Sequence, residues 1–414
     1  MKLAFQQVRM NEQHPHWKQA ISRMQPLYKR KNDFRTEFGR DYTRILHSTA
    51  YSRLKYKTQV FFTTQNDHIC TRIEHVNHVA SVSKTIGYYL GLNTELIEAI
   101  ATGHDLGHAP FGHLGERILR DICKREIGES FWHERQGLRI VDGIETLLAP
   151  DGSMVNMCLT YAVRDGIISH CGEVRDTILR PREEAIDLNI ISHPHEYEPY
   201  TWEGCVVKIA DKIAYLGRDI EDALRLDLIT EKSDPVRMLK KKLADHANIK
   251  NPTLTNTSIM YPLITDICEE STPERGLVLS EENIALMNII MNFNYRYIYR
   301  HPRLKVYHNY AALIIRSIYE ALAHCYDGRN TINRIQALQD DYPILGTHFL
   351  ERLYKYSDIG RKWVNVDAFG NPYGNQIIYA ITTDEKAYRQ ACVDYIAGMT
   401  DRYAEKLFQE MTTL

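Results

Sequence analysis

Apolar side chains recur at the spacing of an amphipathic helix through most of the chain. In the first half, this pattern predicts helices at about 74–91, 94–104, 113–127, 133–148, 156–171 and 203–226. In the second half, it predicts one helix that begins at Ser280 and ends before Pro302, and others over about 303–325 and 384–410. The chain is therefore predicted to be all-α.

Three stretches depart from the helical pattern. Residues 1–50 are polar and basic and contain helix-breaking prolines, so they are expected to form an arm that packs against the body or a neighbouring subunit. Residues 173–202 contain three prolines and mixed charges, which indicates a connection. Residues 357–380 carry apolar pairs around the run from Gly370 to Gly374, which predicts a minor β-hairpin.

The composition is that of a soluble globular protein, with 44% hydrophobic and 25% charged residues. The formal net charge of −2 argues against bulk electrostatic capture of nucleic acid, although a local basic patch remains open. The 8 cysteines are scattered without a Cys-x-x-Cys pair, which is typical of reduced core thiols. Because the chain also lacks a signal-peptide core and a long uncharged apolar run, we expect a cytoplasmic protein that does not cross a membrane.

The run from His104 to Glu116 carries the strongest chemical signal. It places three histidines and two acids within thirteen positions, and these side chains are costly to bury unless they bind something. The pair His104-Asp105 can offer one nitrogen and one oxygen to a divalent ion. Three glycines and a proline force turns, so His113 and Glu116 can fold back towards that ion. The run is therefore predicted to be an active-site segment.

Two further residues complete a predicted metal site. His75 lies at the start of one helical pattern, and Asp211 interrupts an otherwise apolar one, where an unpaired carboxylate would be costly. Together, His75, His104, Asp105 and Asp211 provide two nitrogen and two oxygen ligands from three separate helices. Such mixed ligation suits one divalent ion, and Mn, Mg, Fe, Co and Ni all remain open.

The order of these ligands resembles the H…HD…D motif of the HD phosphohydrolase superfamily. Within it, the chain resembles the deoxyguanosine triphosphate triphosphohydrolase-like branch in a series of ordered motifs, at 53–60, 71–75, 104–116, 132–134, 210–215 and 394–403. The resemblance implies an HD helical fold with additional C-terminal helices. Its expected divisions are an N-terminal arm at 1–50, an HD core at 51–230 and a C-terminal helical region at 231–414, with a soft boundary near 230–250.

His113 and Glu116 form a candidate pair for proton transfer. They are three residues apart at the start of a helix, so they share one face. A carboxylate beside an imidazole fixes its tautomer and raises its basicity. The resemblance gives this pair the catalytic role and implies that His108 and His133 line the phosphate path. The implied reaction is hydrolysis of a deoxynucleoside triphosphate at the α-phosphorus, which gives deoxynucleoside and tripolyphosphate. The sequence leaves open whether His113 protonates the leaving 5′-oxygen or activates the attacking water.

Basic side chains near the matched motifs are candidates for binding phosphate. Phosphoryl chemistry needs positive charge around the phosphate oxygens, and the chain places Arg53, Lys57, Arg72 and Lys212 close to those motifs. We expect Arg72 to bind phosphate, because its planar fork donates paired hydrogen bonds. Lys57 fits an ordinary surface ion pair equally well.

One helix presents a line of candidate substrate contacts. Asp211, Tyr215 and Asp219 follow one another at i, i+4 and i+8. The resemblance implies that Tyr215 contacts the sugar and excludes a ribose 2′-hydroxyl, and that Asp219 binds the 3′-hydroxyl. It also implies that Gln59 contacts the sugar or base, and that residues 394–403 close over the base side of the pocket.

The resemblance further implies a homo-oligomer, a tetramer or a hexamer, and it allows activation by a second nucleotide or by single-stranded DNA. Two other interpretations remain open. The chain could be another HD phosphohydrolase, such as a 5′-nucleotidase or a phosphodiesterase, or a non-catalytic nucleotide-sensing or nucleic-acid-binding scaffold. The His113–Glu116 and Tyr215–Asp219 pairs favour the triphosphohydrolase, and the intact ligand set argues against a scaffold.

Overall fold

Helices make up most of the computed structural model, which describes residues 3–29, 31–61, 68–171, 178–247 and 253–413. The helices of the first half are α1 (Trp17–Ala20), α2 (Glu37–Leu46), α3 (Thr49–Arg53), α4 (Arg72–Leu90), α5 (Thr94–Gly103), α6 (Gly112–Glu126), α7 (His133–Arg139), α8 (Tyr161–Ser169) and α9 (Trp202–Arg225). Those of the second half are α10 (Asp234–Ala247), α11 (Asn256–Glu270), α12 (Glu281–Phe293), α13 (Pro302–Ala323), α14 (Thr331–Asp341), α15 (Pro343–Tyr356), α16 (Gly360–Trp363), α17 (Glu385–Ala397) and α18 (Asp401–Thr412). The predicted all-α class is confirmed.

Two small antiparallel sheets accompany the helices in the described residues. Strands β1 (Thr146–Leu148) and β2 (Met154–Asn156) pair as a hairpin, with Leu147 opposite Val155. Strands β3 (Ile178–Leu179) and β4 (Leu277–Val278) form the second pair. Both pairs are too short to form a sheet layer, so the cores are built by helices.

Local signals explain where the helices near the site begin and end. The backbone N–H of Thr71 donates to Glu74 Oε2 at 2.7 Å, which closes the first turn of α4. That helix ends at Gly91, whose φ of 86° is the left-handed conformation that glycine adopts easily. Asn93 caps α5 by accepting from two backbone N–H groups of its first turn. Thr201 caps α9 by accepting from the backbone N–H of Gly204.

Two buried hydrophobic clusters hold the described residues together. The first joins α4, α5, α8, α9, α11 and α12, and it includes Phe5, Phe38 and Ile45 from the N-terminal segment. The second joins α6 to α13, α15, α17 and α18. Residues that follow the predicted soft boundary near 230–250 pack in the first cluster as far as Ile298. Helix α6, which lies before that boundary, packs in the second cluster. The candidate site lies where α6 meets the helices of the first cluster.

Three predicted elements were wrong in detail. The helix predicted over 133–148 ends in a π-helical turn at Ile140–Ile144 and is followed by β1, because the turn at Pro150-Asp-Gly152 forms the hairpin there. The hairpin predicted at 357–380 is replaced by α16 and isolated bridges. The helix predicted over 384–410 is interrupted before Thr400, which caps α18.

Several expectations about the chain's environment can be compared with the structure. No helix in the described ranges is long and apolar enough to cross a membrane. The cysteines all lie in described ranges and form no disulfides, and most of them are buried. Of the connection predicted at 173–202, residues 173–177 lie outside the described residues, and the remainder contains β3 and a short 3-10 turn at Leu188–Ile190.

Candidate active site

The four predicted metal ligands converge. His75 Nε2 lies 2.9 Å from Asp211 Oδ1 and 3.8 Å from Asp105 Oδ2. His104 Nε2 lies 3.6 Å from Asp105 Oδ1 and 3.8 Å from Asp211 Oδ1. Since metal–ligand bonds are about 2.0–2.2 Å long, donors around one ion have separations of this kind. Helices α4 and α9 and the end of α5 therefore bring together a set of donors that could hold one divalent ion.

Hydrogen bonding orients His104 for ligation. Its Nδ1 donates to the carbonyl oxygen of Ala101 at 2.7 Å, so Nε2 carries the lone pair. His104 is completely buried, and Nε2 has no hydrogen-bond partner among the described residues. A buried acceptor without a partner is costly, whereas a bound cation satisfies it. The donor set therefore fits a divalent ion.

Neighbouring positive and polar groups keep both ligand carboxylates charged. Burial opposes the ionisation of Asp105, but His108 and Arg72 hold the pKa of that carboxyl well below its usual range. Burial also opposes the ionisation of Asp211, yet its hydrogen bond with His75 lowers the pKa to about 2. Both groups are therefore anionic at neutral pH, as ligation of a cation requires.

Arg72 lies behind Asp105 and is almost completely buried. Its Nη1 donates to Asp105 Oδ2 at 2.6 Å, and its Nη2 donates to the carbonyl oxygen of Gln59 at 3.2 Å. Its Nε donates to the carbonyl oxygen of Thr58 at 3.3 Å. The predicted phosphate contact of Arg72 remains a proposal, because its guanidinium is committed to the backbone and to a ligand carboxylate, although the residue also lines the pocket.

Gly107 allows the loop after the ligand pair to approach α7 closely. A Cβ atom at this position would lie 1.9 Å from the carbonyl oxygen of His133 and 2.2 Å from the backbone nitrogen of Gly137. The approach brings the rings of His108 and His133 to a centroid distance of 3.8 Å. Burial and the nearby charge of Arg72 hold the pKa of His108 well below its ordinary value, so this ring is neutral.

Glu116 lies between two histidines on the wall of the site. His133 Nδ1 lies 3.0 Å from Glu116 Oε2, and His113 Nδ1 lies 3.7 Å from the same oxygen. Arg120 donates to Glu116 Oε1 at 2.6 Å. Burial opposes ionisation, but the two histidines hold the pKa of Glu116 far below its usual range. The side chain of His113 is 67% exposed, so its ring can reach a bound molecule while Glu116 fixes its orientation.

Two carboxylates converge on His133. Glu134 Oε2 lies 3.4 Å from His133 Nδ1, in addition to the contact with Glu116. Burial opposes the charged form of His133, but Glu134 and Glu116 together raise its pKa to about 9. In the metal-free protein the ring is therefore an imidazolium at neutral pH.

A pocket of about 450 Å³ joins the donor cluster to the candidate substrate contacts. Its lining includes most of the predicted site residues: Gln59, Arg72, His75, Asp105, His108, His113, Glu116, His133, Asp211, Tyr215 and Asp219. The volume lies within the range of small-molecule sites. The residues that the sequence predicted for metal, proton transfer and sugar contact therefore share one pocket.

Asp219 and Tyr299 form a hydrogen-bonded pair in this pocket. The Tyr299 hydroxyl donates to Asp219 Oδ2. Asp219 lies one turn after Tyr215 on α9, and Tyr299 ends the π-helical turn Asn294–Tyr299. Burial raises the pKa of Asp219 to about 7 in spite of the tyrosine hydrogen bond. This carboxyl is thus partly protonated at neutral pH.

Three of the basic residues singled out in the sequence lie away from the pocket lining. Arg53 lines a second cavity of about 500 Å³ and donates to Thr49 Oγ1 at 2.9 Å. Lys57 is buried, and its ammonium donates to the carbonyl oxygens of His108 and Ala397, so the alternative of a surface ion pair is wrong. Lys212 is buried on α9 next to a predicted ligand. Direct phosphate contacts by Arg53 and Lys212 remain proposals.

The C-terminal segment supports the site through Asp401. Its Oδ1 accepts from the backbone N–H of Phe111 at 2.8 Å, and its Oδ2 accepts from that of Thr58 at 3.0 Å. Phe111 has a φ of 63° immediately before α6, and these bonds hold that strained turn in place. Thr400 and Tyr403 line the second cavity, so the predicted closure of this segment over a base remains a proposal.

Sequence reasoning missed two residues of the site. His170 follows α8, and its ring lies 5.0 Å from that of His104 and 5.6 Å from that of His133. A histidine two positions after the apolar pair Ile167-Ile168 of a predicted helix was the available signal. Tyr299 had no such signal, because it is one of 26 tyrosines.

Comparisons with known proteins agree with this geometry. The HD domain family matches residues 72–216, which contain all four candidate ligands, and the phosphohydrolase-associated domain family matches residues 375–410. A deoxyguanosinetriphosphate triphosphohydrolase-like protein of Desulfatibacillum aliphaticivorans is 31% identical over 380 residues, 91% of this chain and 88% of that protein. The chain belongs to the deoxyguanosinetriphosphate triphosphohydrolase-like family.

Other relatives carry the same description. The protein of Thiobacillus denitrificans is 31% identical over 392 residues, 89% of each chain. That of Bradyrhizobium diazoefficiens is 42% identical over 260 residues, 61% of this chain and 60% of its own length. The resemblance predicted from the motifs is confirmed, and the chain is an HD-family hydrolase by membership.

Proposed function

We propose that the chain is a metal-dependent deoxynucleoside triphosphate triphosphohydrolase. Water attacks the α-phosphorus, the bond from phosphorus to the 5′-oxygen breaks, and the products are a deoxynucleoside and tripolyphosphate. One observation carries the proposal: a single pocket is lined by three of the four donors, by the His113–Glu116 pair and by Tyr215 and Asp219. The names of the relatives support the same reaction.

The donor cluster accounts for activation of the phosphate. His75, His104, Asp105 and Asp211 would hold a divalent ion, which would supply polarisation of a phosphoryl oxygen and a more acidic water molecule. The hydrogen bond from His104 Nδ1 to the carbonyl oxygen of Ala101 orients the His104 ring for ligation. Arg72 fixes the Asp105 carboxylate from behind.

His113 supplies the proton that the leaving 5′-oxygen needs, because an alkoxide is a poor leaving group. Its Nδ1 faces Glu116, which leaves Nε2 for the substrate. Glu116 is buried and is held from the other side by Arg120 and His133, so it keeps the His113 ring oriented. His108 and His133 form the adjoining wall along the phosphates.

The sugar end of the pocket accounts for a deoxynucleotide preference. Tyr215 and Asp219 are one turn apart on α9, and Tyr299 donates its hydroxyl hydrogen bond to Asp219. A 3′-hydroxyl binds to the Asp219 carboxyl, and the Tyr215 ring occupies the space that a 2′-hydroxyl needs. Gln59 lines the same pocket and contacts the sugar or base.

The decisive experiment is product analysis. Each of the four deoxynucleoside triphosphates is incubated with the protein and with Mn²⁺, Mg²⁺, Fe²⁺, Co²⁺ or Ni²⁺, with and without a second deoxynucleotide as activator. Tripolyphosphate is the expected product, in equal amount to the deoxynucleoside. Pyrophosphate release, or orthophosphate release from monophosphates alone, would replace the proposal with another HD phosphohydrolase reaction.

Variants separate catalysis from binding. His113→Ala is expected to lower kcat by about 100-fold or more, the usual contribution of a positioned proton donor, with little change in KM. His47→Ala removes an exposed histidine at the end of α2 and serves as the matched control. Equal turnover by both variants would exclude His113 from the reaction.

A further inference from the structure

Arg117 is a basic residue of the pocket to which the proposed reaction gives no role. Helix α6 places His113, Arg117 and Arg120 at i, i+4 and i+7, so the three side chains share the face that lines the pocket. The Arg120 guanidinium is already bound, because it donates to Glu116 Oε1 at 2.6 Å and to the carbonyl oxygen of Phe131 at 3.2 Å. Arg117 is exposed, and its guanidinium has no hydrogen bond or ion pair within the described part of the chain. It therefore offers a planar set of donors to a bound molecule.

Neighbouring charges place Arg117 near helix α13. Leu304 lies in the first turn of α13 and lines the pocket. His308 follows one turn later, and burial together with the positive charges of Arg117 and Arg316 lowers its pKa. Charges near a protein surface act on one another over about 10 Å or less, because salt screens them. Arg117 therefore lies on the side of the pocket that α13 forms.

The pocket presents contacts for the parts of a nucleotide in order. In the proposed reaction, the donor cluster and the wall of His108 and His133 hold the phosphates, and Asp219 binds the 3′-hydroxyl. Tyr299 donates to Asp219 and lies just before α13. Because the base and the phosphates are attached at opposite ends of the sugar, this order brings the base to the α13 side of the pocket. Arg117 therefore lies at the base end.

Apolar side chains surround the same end of the pocket. Leu114 lies one turn before Arg117 on α6, and Val60 and Leu304 also line the pocket. All three are partly buried. Such side chains pack against the faces of a planar base, whereas they would remove water from a phosphate without replacing its hydrogen bonds. The surroundings of Arg117 therefore favour a base over a phosphate as its ligand.

We propose that Arg117 determines base specificity by donating paired hydrogen bonds to O6 and N7 of guanine. The inference rests on the proposed function, which sets the direction of the nucleotide in the pocket. Guanine presents O6 and N7 as two neighbouring acceptors on one edge, and this pair matches the planar fork of an arginine. Adenine presents N7 beside an amino donor, cytosine presents an amino donor, and thymine presents one acceptor beside a methyl group. Among the four deoxynucleotides, only dGTP gives the guanidinium two acceptors.

Steady-state kinetics with base analogues test the proposal. The ratio kcat/KM is measured for dGTP, dATP and 7-deaza-dGTP, in which a carbon replaces N7. Wild type is expected to prefer dGTP over each of the others by about tenfold, as for one paired arginine contact. Arg117→Ala is expected to lower kcat/KM for dGTP by about tenfold, mainly through KM, and to remove both preferences. Arg125→Ala removes another exposed arginine of α6, outside the pocket lining, and is expected to keep the wild-type preferences.

The full set of deoxynucleotides separates base recognition from a charge effect. If Arg117 contacted phosphate, Arg117→Ala would lower kcat/KM equally for all four substrates, since their triphosphates are identical. An equal loss would therefore overturn the proposal, and so would a wild type that does not prefer dGTP. Alanine is favourable in a helix and the position is exposed, so the variant is expected to fold with an unchanged Tm.

Binding without turnover separates this inference from the proposed reaction. Isothermal titration calorimetry measures Kd for dGTP and dATP with the chelator-treated wild type and with chelator-treated Arg117→Ala. Wild type is expected to bind dGTP about tenfold more tightly than dATP, and the variant is expected to bind both about equally. This result without tripolyphosphate release would refute only the reaction. Tripolyphosphate release from dGTP and dATP with equal kcat/KM would refute only the role of Arg117.

Discussion

Replacing Asp219 with asparagine is expected to stabilise the protein at alkaline pH and to weaken substrate binding. Asp219 is buried on α9 and accepts the Tyr299 hydroxyl hydrogen bond. Burial raises the pKa of Asp219 to about 7, so folding above that pH requires burial of a charged carboxylate. An asparagine oxygen can accept the same hydrogen bond, and the amide carries no charge at any pH. The substitution therefore isolates the free energy of burying the charge.

The direction of the pH effect follows from the raised pKa. Below pH 3.8, the ordinary pKa of the group, Asp219 is neutral in both the folded and the unfolded protein, and the free energy of unfolding is unaffected. As the pH rises towards about 7, the unfolded protein loses its proton first, and the wild type loses stability by about 1.36 kcal/mol per pH unit. Between pH 5 and pH 8 this amounts to about 3 kcal/mol. Above that range the loss is constant.

Denaturant unfolding of the metal-free protein at pH 5 and pH 8 measures this difference. The advantage of Asp219→Asn over wild type is expected to grow by about 3 kcal/mol between the two values. Asp245→Asn, at an exposed position on α10, is the control and is expected to show no such growth. An advantage of Asp219→Asn that is equal at the two pH values, or that falls as the pH rises, would refute the reasoning.

The same variant tests the proposed sugar contact. A carboxyl that binds the 3′-hydroxyl is lost, so KM for the preferred deoxynucleotide is expected to rise by about tenfold, as for one hydrogen bond to a charged group. A 2′,3′-dideoxynucleotide, which lacks the 3′-hydroxyl, is expected to show little difference between wild type and variant. A similar loss with both substrates would show that Asp219 does not contact this hydroxyl.

Three further predictions concern the support of the site. Asp401→Asn retains only one acceptor for two backbone N–H groups, so unfolding free energy is expected to fall by about 1–3 kcal/mol, measured with denaturant, and kcat to fall with it. Gly107→Ala places a Cβ 1.9 Å from a backbone oxygen and is expected to lower Tm strongly. Gly398→Ala, whose Cβ would lie 3.3 Å from its nearest neighbour, the carbonyl oxygen of Asp394, is expected to have a much smaller effect. The pKa of His133 is raised to about 9, so the charged ring stabilises the metal-free protein. This stabilisation is complete below pH 6.5 and is lost as the pH rises through 9. In denaturant unfolding, His133→Asn is expected to remove about 3 kcal/mol of this pH dependence.

The sequence predicted most closely the helices that have both a long apolar face and a capping residue. The predicted helices over 74–91 and 203–226 correspond closely to α4 and α9, because a long apolar face and a capping residue occur together in each. The converging ligands were equally predictable, since a carboxylate such as Asp211 inside an apolar helix needs a partner. Helices α2, α10, α11, α14 and α15 were not predicted; α11 contains Pro262, which usually breaks a helix.

Long-range contacts explain what the sequence could not provide. Asp401 looks like an ordinary first-turn acid of α18, yet each of its oxygens accepts a backbone hydrogen bond from a segment more than 280 positions away. Lys57 likewise resembles a surface cation, but it is buried against two carbonyl oxygens on different elements. Both residues satisfy backbone groups that only the folded chain brings near, so no local pattern marks them. The candidate chemistry is therefore readable from the motifs, whereas the support that holds it in place depends on α6 meeting the C-terminal helices.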